Sequence, residues 1–101
     1  MNLSKENKRA LQQFFADKPV KKAYLFGSYA RNEAHKDSDI DILVELDYDQ
    51  PIGMKFFSFQ PELENLLKMK VDLVTSNGLS KYIKPFIDHD KIKIYERPAN
   101  R

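Results

Sequence analysis

The segment 39–46, DIDILVEL, constrains the fold of this chain more than any other stretch. Apolar residues alternate with acidic ones, which predicts a β-strand that presents different side chains on its two faces. One face carries two carboxylates, Asp39 and Asp41, followed by Leu43 and Glu45. The other face is wholly apolar and consists of Ile40, Ile42, Val44 and Leu46. We therefore expect the apolar face to pack on a core and the acidic face to lie outside it.

Helical patterns occur on both sides of this strand. Ser4 is a typical N-cap for a first helix over 4–16, and a short helix is predicted over 28–31. From Ile52 the apolar residues switch to helical spacing, at Phe56, Phe59, Leu63, Leu66 and Leu67. Pro61 lies inside that pattern and predicts a kink or a break. A last short helix after Ser80 would hold Tyr82, Ile83, Phe86 and Ile87.

Three further segments, 20–26, 71–75 and 91–96, read as strands, and the last alternates like an edge strand. Helices and strands in this order predict an α+β fold, a two-layer α/β sandwich. Its small mixed sheet would have three to four strands, with helices packed on one face. Because 101 residues bury one modest core, we expect 1–101 to be a single domain.

Composition excludes several classes of protein. The chain has no cysteine, so it has neither disulfides nor thiolate metal sites. A net charge of +2 does not favour sequence-independent nucleic-acid binding, so we expect no nucleic-acid partner. The basic residues near the end are interpreted as a solvated terminus; they are Lys91, Lys93, Arg97 and Arg101. No apolar run approaches the roughly 18 residues of a membrane span, and we expect a cytoplasmic protein without membrane contact.

The acidic face indicates a metal site. Like charges two residues apart on one strand disfavour each other, and a divalent cation would compensate Asp39 and Asp41. Oxygen ligands suit Mg²⁺, which keeps waters and shares coordination with substrate phosphates. Asp72, between apolar residues of a predicted strand, would complete an acidic triad if that strand lies next to 39–46. The alternative is that Asp72 merely solvates an edge strand.

A phosphate site is predicted upstream. Gly27-Ser28 follows a predicted strand and precedes a predicted helix, where free N–H groups and a hydroxyl can hold phosphate. A phosphate site beside a carboxylate metal site is what metal-assisted phosphoryl or nucleotidyl transfer requires.

Other polar and aromatic groups have plainer interpretations. Asp88-His89-Asp90 is more typical of a charged helix end than of a metal site, and His35 of a solvated loop. Phe56, Phe57 and Phe59 are expected in the core and not as a base-stacking platform.

The segment 27–46, GSYARNEAHKDSDIDILVEL, resembles the signature of the DNA polymerase beta-like nucleotidyltransferase superfamily: Gly-Ser, ten residues, then Asp-x-Asp. Ala30-Arg31 and Ser38-Asp39 are similar to its small bacterial branch, the minimal nucleotidyltransferases. VDLV at 71–74 resembles the third-carboxylate strand of that branch, and IKIYE at 92–96 resembles its ending more weakly. One position departs from the branch, where Asn32 stands in place of the usual Gly. Asn tolerates left-handed backbone better than most residues, so the loop should survive.

The resemblance implies a nucleotidyltransferase fold and a role for each matching residue. Asp39 and Asp41 would bind two Mg²⁺ ions that hold the triphosphate of ATP. Asp72 would ligand one ion and help to deprotonate the acceptor hydroxyl. Gly27 and Ser28 would hold the β- and γ-phosphates. Arg31 is either a further phosphate contact or a surface charge.

The resemblance also implies three functions. Minimal nucleotidyltransferases are often antitoxins of HEPN/MNT pairs, which resemble protein adenylyltransferases that move AMP from ATP to a tyrosine of the HEPN ribonuclease. A short chain fits, because the partner would supply the acceptor. A second possibility is an antitoxin that neutralises its partner by contact alone. A third is a transferase acting on a small-molecule hydroxyl, which needs a partner subunit because this chain has no acceptor-binding lobe.

Overall fold

Helices and strands alternate along residues 3–98, the part of the chain that the computed structural model describes. In chain order the elements are α1 (Lys5–Ala16), β1 (Val20–Phe26), α2 (Gly27–Ala30), β2 (Ile40–Leu46), α3 (Phe56–Leu67), β3 (Val71–Thr75), α4 (Lys84–Asp90) and β4 (Ile92–Glu96). The strands form one sheet in the order β3-β2-β1-β4. β1 is antiparallel to both β2 and β4, whereas β2 and β3 are parallel. The predicted α+β fold with a mixed sheet is therefore confirmed, and β4 is an edge strand as expected.

The apolar face of β2 packs on the core. Ile40, Ile42 and Val44 are fully buried, and the register places Ala23 and Leu25 of β1 beside the last two on the same face. The helices α1 and α3 cover this face with Leu11, Phe15, Leu63 and Leu67. The alternation of β2 thus predicts correctly which face lies inside.

The opposite face is not purely acidic. Leu43 is only 3% exposed, although it shares that face with Asp41 and Glu45 and is outside the main core cluster. The ring of Tyr24, in register with Leu43, lies 4.6 Å from the Lys91 ammonium beyond the end of α4. The chain just beyond α4 therefore contacts this second face at Tyr24, whereas Asp72, next to Asp41 on the same face, is exposed; this exposed part is called the open face below.

The N-cap of α1 is the residue that the sequence predicts. The backbone N–H of Asn7 donates to Ser4 Oγ at 3.0 Å, so Ser4 is the predicted N-cap. In α3, the sequence predicts a kink or a break at Pro61; a break is wrong, since the helix continues from Phe56 to Leu67. Pro61 removes the donor for the carbonyl of Phe57. Phe57 is 69% exposed, which corrects its predicted place in the core and leaves that carbonyl near solvent; Phe56 and Phe59 do pack inside.

Side chains of α3 fix the position of β3. Gln60 Oε1 accepts from the N–H of Leu73 at 3.2 Å, and Glu64 Oε2 accepts from the N–H of Val71 at 3.0 Å. These bonds satisfy N–H groups on the outer edge of a strand that has one neighbouring strand within the described residues. They hold the strand that contains Asp72 against β2.

The last helix differs from its prediction. It begins at Lys84, and 80–83 form a turn in which Ser80 Oγ accepts from the N–H of Ile83 at 3.3 Å. Pro85 fits because it lies in the first turn of the helix, where no N–H partner is required. Ile87 is buried, but Tyr82, Ile83 and Phe86 are 76%, 53% and 75% exposed.

The basic residues near the end are not a free solvated tail. Arg97 Nη1 donates to Asp47 Oδ2 at 2.6 Å, and Asp47 is itself buried at the end of β2. Lys91 pairs with Asp88 at 2.9 Å, and Lys93 pairs with Glu96. Arg101 lies outside the described residues. Within 3–98 no helix is long and apolar enough to span a bilayer.

Candidate active site

Two of the three predicted carboxylates meet on the open face of the sheet. The parallel pairing of β2 and β3 places Asp41 directly beside Asp72, and Asp39 immediately precedes β2. Asp41 is partly buried, whereas Asp39 and Asp72 are exposed. The sequence predicts that Asp72 joins the other two carboxylates if its strand lies next to 39–46, and β3 is indeed the neighbour of β2.

The charges of these groups act on one another. The pKa of Asp41 is raised to about 6, first by burial and then by the negative charges of Asp72 and Asp39. The positive charge of Arg31 opposes this rise in the pKa. The side-chain carboxylate of Asp41 makes no hydrogen bond to another residue within 3–98. An ionised Asp41 is thus an uncompensated carboxylate that a cation would stabilise.

Gly27 allows the chain to pass next to this carboxylate. Its φ is +72°, and a Cβ built on it would lie 2.2 Å from Asp41 Oδ2. The cause is local topology, because β1 pairs Phe26 with Asp41 just before the turn into α2. The sequence predicts Gly27 as a phosphate contact. The structure adds a reason that concerns Asp41, since any side chain at position 27 would displace the carboxylate.

The turn after β1 presents Ser28 and Arg31. The N–H of Glu33 donates to the carbonyl of Ser28 at 2.8 Å, and the N–H of Arg31 donates to that of Gly27 at 3.1 Å. These bonds close the turn and leave the Ser28 hydroxyl without a hydrogen bond to the described residues. Asn32 has φ 60°, so it adopts left-handed backbone, a conformation that asparagine tolerates better than most residues.

Arg31 is held by two carboxylates. Its Nε donates to Glu33 Oε1 at 3.1 Å, and its Nη1 donates to Asp90 Oδ2 at 2.8 Å. Asp90 is the last residue of α4. Because it is 59 positions from Arg31, no local sequence pattern could predict this contact. Asp88-His89-Asp90 is a charged helix end, as predicted, but Asp90 contacts a predicted site residue. His35 is exposed in its loop.

The donor set fits Mg²⁺ bound together with a substrate. Within 3–98, no three His, Cys, Asp or Glu side chains are arranged to hold a metal ion alone. Mg²⁺ commonly takes one or two carboxylates and completes its shell with water and phosphate oxygens. Asp41 and Asp72 supply that pair of carboxylates, and a cation would relieve the repulsion between their adjacent negative charges.

The open face is shallow. A cleft of about 310 Å³, formed by 36–39 and 68–70, adjoins Asp39. Larger cavities of about 470 and 710 Å³ lie elsewhere and are lined by none of the predicted site residues. The site therefore offers metal and phosphate ligands but little enclosure for an acceptor.

Comparison with protein families identifies the class of the chain. Residues 4–97 match the nucleotidyltransferase domain. The chain belongs to this family. It is accordingly an enzyme of the nucleotidyltransferase class, and the open face with Asp41, Asp72 and Gly27 is its candidate active site.

Relatives by sequence include MJ0128 of Methanocaldococcus jannaschii, by name a candidate protein adenylyltransferase. It is 42% identical over 94 residues, which cover 92% of this chain and 92% of the relative. The protein adenylyltransferase MntA of Thermococcus cleftensis is 40% identical over 77 residues, covering 76% of this chain and 74% of the relative.

Solved structures share the fold. A candidate minimal nucleotidyltransferase has a TM-score of 0.74 at 29% identity, over 86% of this chain and 88% of that one. A toxin-antitoxin complex with AMP-PNP has a TM-score of 0.72 at 25% identity, over 96% of this chain and 77% of that one. The complex of a tri-AMPylated Shewanella oneidensis HEPN toxin with its MNT antitoxin has a TM-score of 0.71 at 22% identity, over 94% of this chain and 74% of that one. At that last identity the likeness concerns the fold alone.

Proposed function

We propose that this chain transfers AMP from Mg²⁺-bound ATP to a tyrosine hydroxyl of a partner protein and so acts as the antitoxin of a HEPN-type ribonuclease. The observation on which this proposal rests is the placement of Asp41 beside Asp72, next to the Gly27-Ser28 turn, on an open face of the sheet. The names of relatives that are 40–42% identical support protein as the acceptor. The likeness to a toxin-antitoxin structure with AMP-PNP supports an adenine nucleotide.

The chain's own groups would divide the reaction among them. Asp39 and Asp41 would hold two Mg²⁺ ions, with Asp72 as a further ligand of one of them, and the ions would neutralise phosphate charge. Gly27 and Ser28 would receive the β- and γ-phosphates at the start of α2. Asp72, exposed beside Asp41, would accept the proton of the acceptor hydroxyl. The acceptor oxygen then bonds to the α-phosphorus, the bond from that phosphorus to the bridging oxygen breaks, and pyrophosphate leaves.

An exposed apolar surface supports a protein as the acceptor. Tyr82, Ile83 and Phe86 lie together at the start of α4, each more than half exposed. Clustered exposed apolar side chains are typical of protein interaction sites. The far end of the same short helix contacts Arg31 at the candidate site. A partner bound to this surface would therefore lie one length of α4, roughly 10 Å, from the end that contacts Arg31.

The same surface favours a second candidate, neutralisation by contact without chemistry. The two functions differ in what they require of Asp41. Transfer requires an ionised, metal-binding carboxylate on β2, whereas contact through α4 does not depend on it.

The test uses ATP labelled on the α-phosphate, Mg²⁺ and lysate of the source cells. We expect label on one discrete protein, which peptide mass spectrometry should assign to a tyrosine. The double variant Asp39→Asn/Asp41→Asn should give no label. Glu45→Gln is the matched control, since it removes one negative charge from the same face of the same strand. If Asp41→Asn still fully neutralises a co-expressed toxin, neutralisation does not need transfer and the contact function stands.

A further inference from the structure

The ion pair between Arg31 and Asp90 joins the turn after α2 to the end of α4. The Nη1–Oδ2 distance is 2.8 Å, and the Asp90 side chain is only 19% exposed. An acidic group in the last turn of a helix faces the negative end of the helix dipole, so Asp90 occupies an unfavourable position unless a cation compensates it. Arg31 is that cation.

The pair leaves much of the guanidinium available. Arginine has five N–H donors in a planar fork, of which Nε serves Glu33 and one Nη1 hydrogen serves Asp90. Within the described residues Nη2 has no hydrogen-bond partner. The two carboxylates thus occupy Nε and Nη1 on opposite sides of the guanidinium, and Nη2 remains able to donate to a phosphate.

Arg31 lies near the catalytic face. The N–H of Arg31 donates to the carbonyl of Gly27 at 3.1 Å, and Gly27 lies against the Asp41 carboxylate, beside which the triphosphate would lie. Of its two partners, Asp90 contributes the largest cause of the raised pKa of Arg31, ahead of Glu33. Asp90 is also attached to a different element of the fold, whereas Glu33 is two residues from Arg31 and moves with it.

We propose that Asp90 is a positioning residue for nucleotide binding, which fixes Arg31 so that its free Nη2 group meets the triphosphate of ATP. This role depends on the proposed phosphate contact of Arg31 but not on the identity of the acceptor. Asp90 itself touches neither phosphate nor metal. Its effect must therefore pass through Arg31, and this makes the proposal testable.

The experiment is a double-mutant cycle on nucleotide affinity. Titration calorimetry would measure the Kd of the Mg²⁺ complex of the ATP analogue with a methylene group between the α- and β-phosphorus, which cannot be cleaved by the transfer reaction. Arg31→Ala should weaken binding about 10- to 100-fold, the range of a charge-assisted phosphate contact. Asp90→Ala should weaken it about three- to tenfold and should add nothing in the Arg31→Ala background. Asp90→Asn, which keeps an acceptor oxygen without the charge, should lie between Asp90→Ala and the parent chain.

Asp88→Ala is the matched control on the same helix. Asp88 pairs with Lys84 at 2.7 Å and with Lys91 at 2.9 Å, so its loss should weaken α4 without changing the Kd. The proposal is overturned if Asp90→Ala weakens binding equally with and without Arg31, if Asp88→Ala has the same effect, or if the parent chain does not bind the analogue. If the chain binds the analogue but labels no protein in lysate, the proposed function fails while the cycle still decides the role of Asp90.

Discussion

Ile42 and Asp41 are adjacent in β2 but lie on opposite faces of the sheet, and their surroundings differ. Ile42 is fully buried in the core between β1 and β3. The Asp41 carboxylate has no hydrogen-bond partner within 3–98, lies beside a second carboxylate, and has a pKa raised to about 6. The core face stabilises the fold. The face with Asp41 holds charge that costs stability, which the proposed cation and phosphates would offset, and such a cost is common at active sites.

The largest effect should come from Asp41→Asn. A carboxylate that positions a catalytic ion contributes several kcal/mol to the transition state, so we expect transfer of α-phosphate label to fall about 10³-fold. The assay is the initial rate of label transfer to the partner protein at saturating Mg²⁺. Glu45→Gln, on the same face, should remain within about twofold of the parent rate. A rate for Asp41→Asn within tenfold of the parent would remove Asp41 from the site.

Ile42→Ala tests the other side of the comparison. It leaves a cavity in the packed face, so we expect the free energy of unfolding to fall by about 2–5 kcal/mol. Urea unfolding followed by circular dichroism would measure the loss. Asp41→Asn should show no such loss under the same conditions. If both variants lose stability equally, the two faces of β2 do not differ in their contribution to the free energy of unfolding.

Gly27→Ala should impair the catalytic face by geometry alone. The new Cβ would lie 2.2 Å from Asp41 Oδ2, so the carboxylate must move, and displacements of about 1 Å can reduce rates about 10²-fold. The readout is kcat for label transfer, together with Tm. Gly53→Ala is the control, since Gly53 also has a positive φ (+49°) but has no atom within 4 Å of its built Cβ. It should lose a little stability and keep its activity; equal loss of activity in both variants would point to backbone strain instead.

The dependence of stability on pH should show what the charge on Asp41 costs. Its pKa is above the ordinary value of 3.8, so between about pH 4 and 6 the folded chain binds more protons than the unfolded chain. The contribution of Asp41 is therefore unfavourable above pH 6 and disappears as the pH falls through 6 towards 4. Because water screens a partly exposed carboxylate, we expect about 1 kcal/mol.

Two Tm measurements, at pH 7.5 and pH 4.5, would check this effect. In the absence of Mg²⁺, Asp41→Asn should be more stable than the parent chain at pH 7.5 and about equal at pH 4.5. Mg²⁺ with the nucleotide should stabilise only the parent at pH 7.5. An advantage of the Asn variant that is the same at both pH values would mean that it does not come from charge.

The fold follows from sequence where a pattern is local. The alternation of 39–46 predicts the buried face of β2, and Ser4 predicts the start of α1, because each depends on residues two to four positions apart. Pro61 is misleading because its effect depends on whether the carbonyl of Phe57 can reach solvent. Tyr82 and Phe86 are misleading for a similar reason, since apolar spacing does not reveal whether anything covers a helix.

The site divides in the same way. Asp39, Asp41, Gly27 and Ser28 form one contiguous motif, and Asp72 joins them because its strand pairs in parallel with β2. Asp90 reaches Arg31 only through the placement of α4, and no spacing rule connects positions 59 apart. The contact between Gly27 and the Asp41 carboxylate likewise depends on strand register.

The smallest effect should come from Asn32→Gly, which restores the residue that the resembling branch usually has. Asn32 adopts φ 60°, where glycine is unstrained, but glycine also gives the unfolded chain more freedom. These effects oppose each other, so we expect a change in unfolding free energy below about 1 kcal/mol and a transfer rate within about twofold. Lys68→Gly is the control, a left-handed residue (φ 57°) at the end of α3. If Asn32→Gly changes the rate tenfold while Lys68→Gly does not, the Asn32 side chain takes part in the site; equal small changes mean that only backbone geometry matters there.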